Sequence, residues 1–349
     1  MDIVKKIPVG ILGATGSVGQ KFIELLSNHP WFDITTLAAS ERSFGKKYRE
    51  AAHWFQSSEL RADIGEMRMS ACEPNLPCRI VFSGLDSDVA GDIETRFAEA
   101  GYIVISNSKN HRMDETVPLL IPEVNSDHLD LVRSQSFPNG GMIITNPNCS
   151  TVGLALALKP LVDHFGVEKV SVVTMQALSG AGYPGVSSLD IIDNMIPFIG
   201  GEEQKMETEP LKIFGTMIDD RIVPSNIRLS ASCNRIAVVD GHMECVSLSL
   251  SKDVSAEDII DAWQTFRTEP QTLELPSAPT HPTHYFFEEN FPQPRKHRML
   301  GNGMTVAIGR LRPCPIFGWK FVLLSHNTIR GAAGGAILNA ELLVKKGMV

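Results

Sequence analysis

Cys149 stands in Asn146-Pro147-Asn148-Cys149-Ser150-Thr151, directly after the apolar run Ile143-Ile144-Thr145 and before the helical stretch Val152–Phe165, which Pro160 is expected to kink or end. A thiol at a helix start ionises more readily, because the first N–H groups and the helix dipole favour negative charge, and the thiolate is the nucleophile. Of the six cysteines, Cys72, Cys78, Cys233, Cys245 and Cys314 lack this setting and read as inert thiols. Farther along, Asn234-Arg235 leads to Asp240-Gly241-His242 at a strand end. A histidine that titrates near neutrality can act as acid and base to such a thiol, and the planar fork of an arginine fits a carboxylate. Taken alone, the histidine would be structural and the arginine a surface ion pair; the cysteine beside them points to catalysis. His281-x-x-His284 sits in a proline-rich stretch with no acidic or thiol partner nearby, so no metal is assigned.

These residues need elements to hold them. Gly13-Ala-Thr-Gly16-Ser-Val-Gly19 follows the apolar run Ile7–Leu12 and opens a stretch with helical spacing at Val18, Phe22, Leu25 and Leu26. A glycine turn between strand and helix leaves backbone N–H groups free for a phosphate, which favours a dinucleotide, although the spacing differs from Gly-x-Gly-x-x-Gly and a plain tight turn is the alternative. The second strand ends in Ser40-Glu41-Arg42-Ser43, followed by Lys46. Its serines and cations suit a 2′-phosphate, and Glu41 is the residue that argues for NAD.

Apolar runs at Ile34–Ala39, Arg79–Ser83 and Tyr102–Ser106 alternate with polar or helical stretches such as Asp88–Ala100, the signature of a parallel sheet covered on both faces. Residues 1–148 therefore read as a doubly wound α/β nucleotide-binding domain. From Lys169 the pattern changes to strands at Val170–Gln176, Asn234–Val239, Met243–Ser251, Thr305–Leu311 and Trp319–Ser325, with helices at Ser188–Met195, Glu202–Phe214 and Ser255–Arg267. That is an α+β domain with a mixed sheet over 149–326, its connection Pro276–Pro294 on the surface. Small residues from Asn327 onward form a closing helix, 327–349, expected to complete the first domain.

The chain has 349 residues, long enough for two domains with cores of their own. Forty acidic against 32 basic residues give a net charge of −8, which repels a phosphate backbone, so no nucleic-acid partner is expected. Sparse cysteines without a Cys-x-x-Cys pair fit a reducing cytoplasm, and the charged start Met1–Lys6 lacks the apolar core of a secretion signal. No run of eighteen apolar residues occurs, so no membrane span is expected either.

Taken together, the chain closely resembles the aspartate-β-semialdehyde dehydrogenase family, in its archaeal and fungal branch, over nearly its whole length. The resemblance rests on Gly13–Gly19, Ala39–Ser43, Ser106–Arg112, Pro147–Thr151, Gly200–Lys205, Asn234–His242 and Asn327-Thr328-x-Arg330-Gly331-Ala332-Ala333-Gly334. It implies NADPH-dependent reductive dephosphorylation of L-aspartyl-4-phosphate, in the pathway to lysine, methionine, threonine and isoleucine, by a homodimer or homotetramer. Cys149 would be the nucleophile, His242 the acid/base and Gln176 the residue positioning the acyl group. Arg235 would hold the substrate carboxylate and Glu202 its ammonium, with Lys205, Arg112 and Asn110 on phosphate. For NADP the resemblance implies Thr15, Ser17 and Val18 with Gly13 and Gly16 at the pyrophosphate, Ser40, Arg42 and Ser43 at the 2′-phosphate, and Ser83, Gly84, Gly180 and Asn327 around the nicotinamide. A malonyl- or succinyl-CoA reductase would share Cys149, His242 and the nucleotide site, but a CoA ester offers no ammonium to Glu202. A non-catalytic NADP-binding regulator would need none of the cysteine, histidine and arginine set.

Overall fold

The structure, a computed structural model, describes residues 6–349; the first five, over which the first domain and the absence of a secretion signal were read, lie outside it. The chain divides into two compact units, one comprising the chain up to Leu120 with His128–Asn146 and Ala333–Val349, the other Ile121–Asp127 with Pro147–Ala332. The sequence-based division differs in three short segments, 121–127, 147–148 and 327–332, the first and last of which meet in one ion pair. These two belong together in the second unit because buried Glu123 and Arg330 form a two-point ion pair there, Nη1 to Oε1 at 2.8 Å and Nη2 to Oε2.

In the first unit the apolar runs become β1 (Ile7–Leu12), β2 (Phe32–Ala39), β3 (Ser70–Ala71), β4 (Ile80–Ser83), β5 (Ile103–Ser106) and β6 (Met142–Thr145). They pair in parallel in the order β3-β2-β1-β4-β5-β6. The order reverses between β1 and β4, the place where open α/β sheets bind nucleotides. β4 and β5 are buried at every residue, which is why their sequences run apolar without alternation. Leu12, Val81, Phe97, Tyr102 and Val104 share one core cluster. The C-terminal helix Gly334–Lys345 is buried from Gly334 to Leu343 and is fixed in this unit by Glu341 Oε1 against His29 Nε2 at 2.8 Å.

In the second unit the strands are β7 (Val167–Gln176), the small hairpin β8 (Thr216–Ile218) and β9 (Arg221–Val223), then β10 (Arg228–Arg235), β11 (His242–Leu250), β12 (Thr283–Phe286), β13 (Val306–Cys314) and β14 (Gly318–Ser325). Apart from the hairpin they form one mixed sheet, β10-β7-β11-β14-β13-β12, with β10∥β7 and β12∥β13 parallel and the rest antiparallel. β7 buries Val170, Val172, Thr174 and Gln176 on one face. The helix Cys149–Phe165 continues through Pro160 instead of ending there. Burial of Ser150–Leu158 and of Leu161 holds it although the ring removes one backbone donor. Trp263, from the helix Ala256–Thr265, donates its indole N–H to Ala157 O at 2.8 Å and stacks on Tyr285.

Two strand expectations are corrected. The apolar run Ile236–Val239 follows β10 and is not the strand; the strand is the polar Arg228-Leu-Ser-Ala-Ser-Cys-Asn-Arg235, whose alternate residues face outward and carry little apolar signal. The proline-rich connection is not wholly surface, since it contains β12 with Thr283 and Tyr285 buried.

Candidate active site

Asn148 caps the helix Cys149–Phe165 by accepting from the N–H groups of Ser150 at 3.0 Å and Thr151 at 3.3 Å. Its own N–H donates to Glu209 at 2.7 Å, and its amide reaches both oxygens of Glu202 at 3.1 and 2.8 Å. The turn before Cys149 is thus fixed from three sides. Cys149, first residue of the helix, places Sγ 3.2 Å from Nε2 of His242, 93 residues away in sequence. Close packing confines this thiol from behind: a Cβ on Gly331 would lie 2.7 Å from Cys149 Cβ, so only glycine fits where the chain turns through Ile329–Ala333.

His242 begins β11 and is fully buried. Ala177 N–H donates to its Nδ1 at 3.0 Å, so the ring's lone pair is there and the neutral ring carries its proton on Nε2, facing sulfur. The histidine presents the acid half of the expected acid/base pair to Cys149. Burial, with the charges of Arg235 and His326, pushes its pKa down to about 3, so the ring is neutral at physiological pH. Ala177 also accepts from Arg235 Nη1 at 2.6 Å, so the N–H and the carbonyl of one residue orient both side chains. Gly180 closes over them, with a hypothetical Cβ 2.8 Å from Arg235 Nη1 and 3.2 Å from His242 Nε2. Burial draws the Arg235 pKa down, opposed by the negative charge of Cys149 and Glu202. A buried cation whose charge couples to the sulfur favours thiolate.

Glu202 opens the helix Glu202–Ile213 and is almost fully buried. It accepts from Gln176 at 3.2 Å and Lys205 at 2.6 Å in addition to Asn148. Burial works against its ionisation, but the charge and hydrogen bond of Lys205, with the bonds from Asn148 and Gln176, outweigh it and hold the carboxyl below its usual range. Asn327 accepts from Gly241 N–H at 2.9 Å and donates to Ser179 at 2.8 Å, tying the turn before His242 to the Gly180 turn. Arg298 donates to Asp240 O at 3.2 Å, which gives the basic Lys296-His297-Arg298 stretch a place against that same turn. Cys149, Gln176, Gly180, Glu202, Lys205, Arg235, His242 and Asn327 thus belong to the second unit.

The remaining predicted residues lie in the first unit. Gly13 has φ +73°, and its Cβ would stand 2.7 Å from Gly84 O; that of Gly19 would stand 2.2 Å from Gly13 O. These contacts require glycine and bring the start of the helix Ser17–Leu26 close to β1 and the chain after β4. No side chain caps this helix at Gly16, so the N–H groups at Ser17 and Val18, beside Thr15, fit a pyrophosphate. Ser40, Glu41 and Arg42 are exposed on the turn after β2, where Ser43 N–H donates to Ser40 O at 2.9 Å; a cation and two hydroxyls there fit a 2′-phosphate. Ser83 ends β4, and Gly84 donates to Leu12 O at 2.9 Å. Asn110 donates to Ser87 O at 2.9 Å and buried Arg112 to Asn107 O at 2.8 Å.

Of the other cysteines, burial raises the pKa of Cys72 and Cys245, of Cys78 to about 12 and of Cys233 to about 11. Backbone N–H groups of Phe317 and Ile316 lower that of Cys314. Among the described residues no three histidine, cysteine or acidic side chains are grouped as metal ligands, and Arg267 sits against His281. No helix of the described residues is long and apolar enough to cross a membrane. Sequence reasoning missed Asn148, the Ala177 peptide, Gly331 and Glu244 of β11. Glu244 had a signal, since it shares strand parity with His242, Val246 and Leu248.

A family profile described as "Semialdehyde dehydrogenase, NAD binding domain" matches residues 8–132, and one described as "Semialdehyde dehydrogenase, dimerisation domain" matches 158–330. The fold and the site define a semialdehyde dehydrogenase. The chain belongs to the aspartate-semialdehyde dehydrogenase family. It is 49% identical to the aspartate-semialdehyde dehydrogenase of Archaeoglobus fulgidus over 98% of this chain and 99% of that one, and 45% identical to that of Saccharomyces cerevisiae over 99% of each. The crystal structure of aspartate semialdehyde dehydrogenase with NADP from Candida albicans superposes with a TM-score of 0.92 at 45% identity, covering 98% of this chain and 100% of that one.

Proposed function

We propose that this chain reduces L-aspartyl-4-phosphate to L-aspartate-4-semialdehyde with NADPH, releasing phosphate, in the biosynthesis of lysine, methionine, threonine and isoleucine. The observation that carries the reading is Cys149 Sγ 3.2 Å from His242 Nε2 at a helix N-terminus. The thiolate attacks the acyl carbon, the carbon–oxygen bond to phosphate breaks, phosphate leaves with the electron pair, and a thioester forms on Cys149. Bound NADPH supplies the hydride. His242 holds its Nε2 proton first against sulfur and then against the oxyanion on the former acyl carbon, until the carbon–sulfur bond breaks and Cys149 leaves as thiolate.

The other residues position the substrate. Arg235 holds the carboxylate with its fork, and Gln176 orients the acyl group. Glu202 exchanges its bond with Lys205 for one with the substrate ammonium, which frees Lys205 for phosphate together with Arg112 and Asn110. Gly13, Thr15, Gly16, Ser17 and Val18 would hold the pyrophosphate of NADP, Ser40, Arg42 and Ser43 its 2′-phosphate, and Ser83, Gly84, Gly180 and Asn327 would flank its nicotinamide. The protein works as a homodimer or a homotetramer, in the cytoplasm, where its six free cysteines stay reduced.

The reverse reaction tests the reading. Aspartate semialdehyde with phosphate and NADP should yield NADPH, and replacing phosphate by CoA should abolish it. Formation of NADPH that needs CoA and not phosphate would move the assignment to an acyl-CoA reductase.

A further inference from the structure

Glu244 lies in the middle of β11, two residues after His242 on the same buried face. It is fully buried, and neither carboxyl oxygen has a hydrogen-bond partner. The β11 register sets Glu244 beside Thr174 of β7 and Leu323 of β14, and His242 beside Ser325 of β14. The helix Cys149–Phe165 covers this face at Gly153, whose hypothetical Cβ would stand 2.8 Å from Ser325 Cβ and 3.4 Å from a Leu323 methyl. Ser150 lies one turn earlier on that helix, next to the nucleophile. The hydroxyls of Ser150 and Ser325 are buried and also lack partners. Four unpartnered oxygens of three side chains thus share the layer beneath the Cys149–His242 pair.

Unpaired buried polar groups are costly, and an unpaired ionised carboxylate is far more so. A neutral acid has both a donor and an acceptor and can join hydroxyls that have the same. An internal water with roughly three such partners is the usual way to complete a set that side chains alone do not close. We propose that Glu244 is a positioning residue, a neutral carboxylic acid that joins Ser150 and Ser325 through an internal water and so ties the strand carrying His242 to the helix turn carrying Cys149. Burial raises its pKa well above the usual carboxyl range, in keeping with the neutral form. The proposal deepens the thioester reading and rests on it only for the turnover measurements.

Glu244→Gln keeps a donor and an acceptor in the same volume; Glu244→Leu keeps only the volume. Infrared difference spectra of wild type minus Glu244→Gln, in H2O and D2O at neutral pH, should show a deuterium-sensitive protonated-carboxyl band. Glu244→Gln should turn over within about threefold of wild type, and Glu244→Leu should lose roughly 10²-fold in kcat with KM values unchanged, the scale of a small misplacement at the reacting atoms. Alkylation of Cys149 by iodoacetamide, which needs no substrate, should slow in Glu244→Leu and not in Glu244→Gln. Absence of the carboxyl band, equal impairment of both variants, or a Glu244→Leu protein with wild-type kcat and alkylation rate would each overturn the proposal. If Glu244→Leu does not fold, the band and the Glu244→Gln activity still decide it. A failed aspartate-semialdehyde assay with the infrared and alkylation results intact would refute the function and leave Glu244 as described.

Discussion

The glycine turn Gly13–Gly19 and the Cys149 centre use glycine for opposite purposes. At the turn, the missing Cβ atoms let backbone approach backbone, Gly13 against Gly84 and Gly19 against Gly13, so the product is a row of N–H groups. At the centre, the missing Cβ atoms of Gly180 and Gly331 let backbone approach side chains, Arg235 and His242 in one case and Cys149 in the other. The first site is written in seven consecutive residues and is made of main chain. The second gathers side chains from well-separated segments, and each group there is oriented by another: His242 and Arg235 by the N–H and carbonyl of Ala177, Glu202 by the three donors Asn148, Gln176 and Lys205. A main-chain site tolerates side-chain change and fails on a Cβ; a side-chain site fails on the loss of one functional atom.

That contrast can be tested by substitution, spectroscopy and pH. Cys149→Ala should abolish phosphate-dependent turnover while NADP affinity, measured by fluorescence titration, stays within about twofold, since the lost atom belongs to one unit and the nucleotide turn to the other. Substantial remaining turnover would dismiss the thiol as nucleophile. His242→Asn should lower kcat roughly 10²–10⁴-fold with little change in KM, the range for a lost acid/base group. In the wild type, 15N shifts of His242 should place its proton on Nε2; a proton on Nδ1 would contradict the Ala177 contact.

Gly19→Ala puts a methyl where the backbone leaves 2.2 Å, and should cost about 1–3 kcal/mol, seen as weaker NADP binding and a lower Tm. Its Cys149 should alkylate at the wild-type rate, and a slowed rate would show that the two sites are not separate in kind. Arg42→Ala should weaken NADP about tenfold and leave NAD nearly unchanged, because only the 2′-phosphate loses a charged partner. Equal losses would make Arg42 a residue of the turn itself.

The last expectation concerns pH. In the unfolded chain His242 takes up a proton as pH falls through about 6.5, whereas burial beside Arg235 and His326 holds the folded ring neutral down to about 3. Between these values the unfolded state binds more protons, so the contribution is fully present above the upper value and is lost as pH falls. Relative to His242→Asn, the wild type should lose stability with falling pH by up to about 1.4 kcal/mol per unit in that window, measured by urea unfolding. Parallel stability curves would mean that the folded ring titrates normally.

Residue order alone suffices for the pieces whose physics is local. Apolar runs such as Arg79–Ser83 read as doubly covered strands, Gly13–Gly19 as a turn between strand and helix, and Cys149 as standing at a helix start. It did not reveal β10, because Arg228–Arg235 is polar on its outward face and gains its place from pairing with β7, whereas the more apolar Ile236–Val239 drew attention next door. Pro160 misled for the same reason: a helix buried over most of its length keeps going where an exposed one would stop. Only the tertiary structure decided which way His242 turns its proton, that Ala177 orients it together with Arg235, and that Glu244 lies without a partner beneath them. These are contacts between residues distant along the chain, and they form only when the sheet register brings a peptide N–H, a ring nitrogen and a sulfur within hydrogen-bond distance; residue spacing carries no information about that.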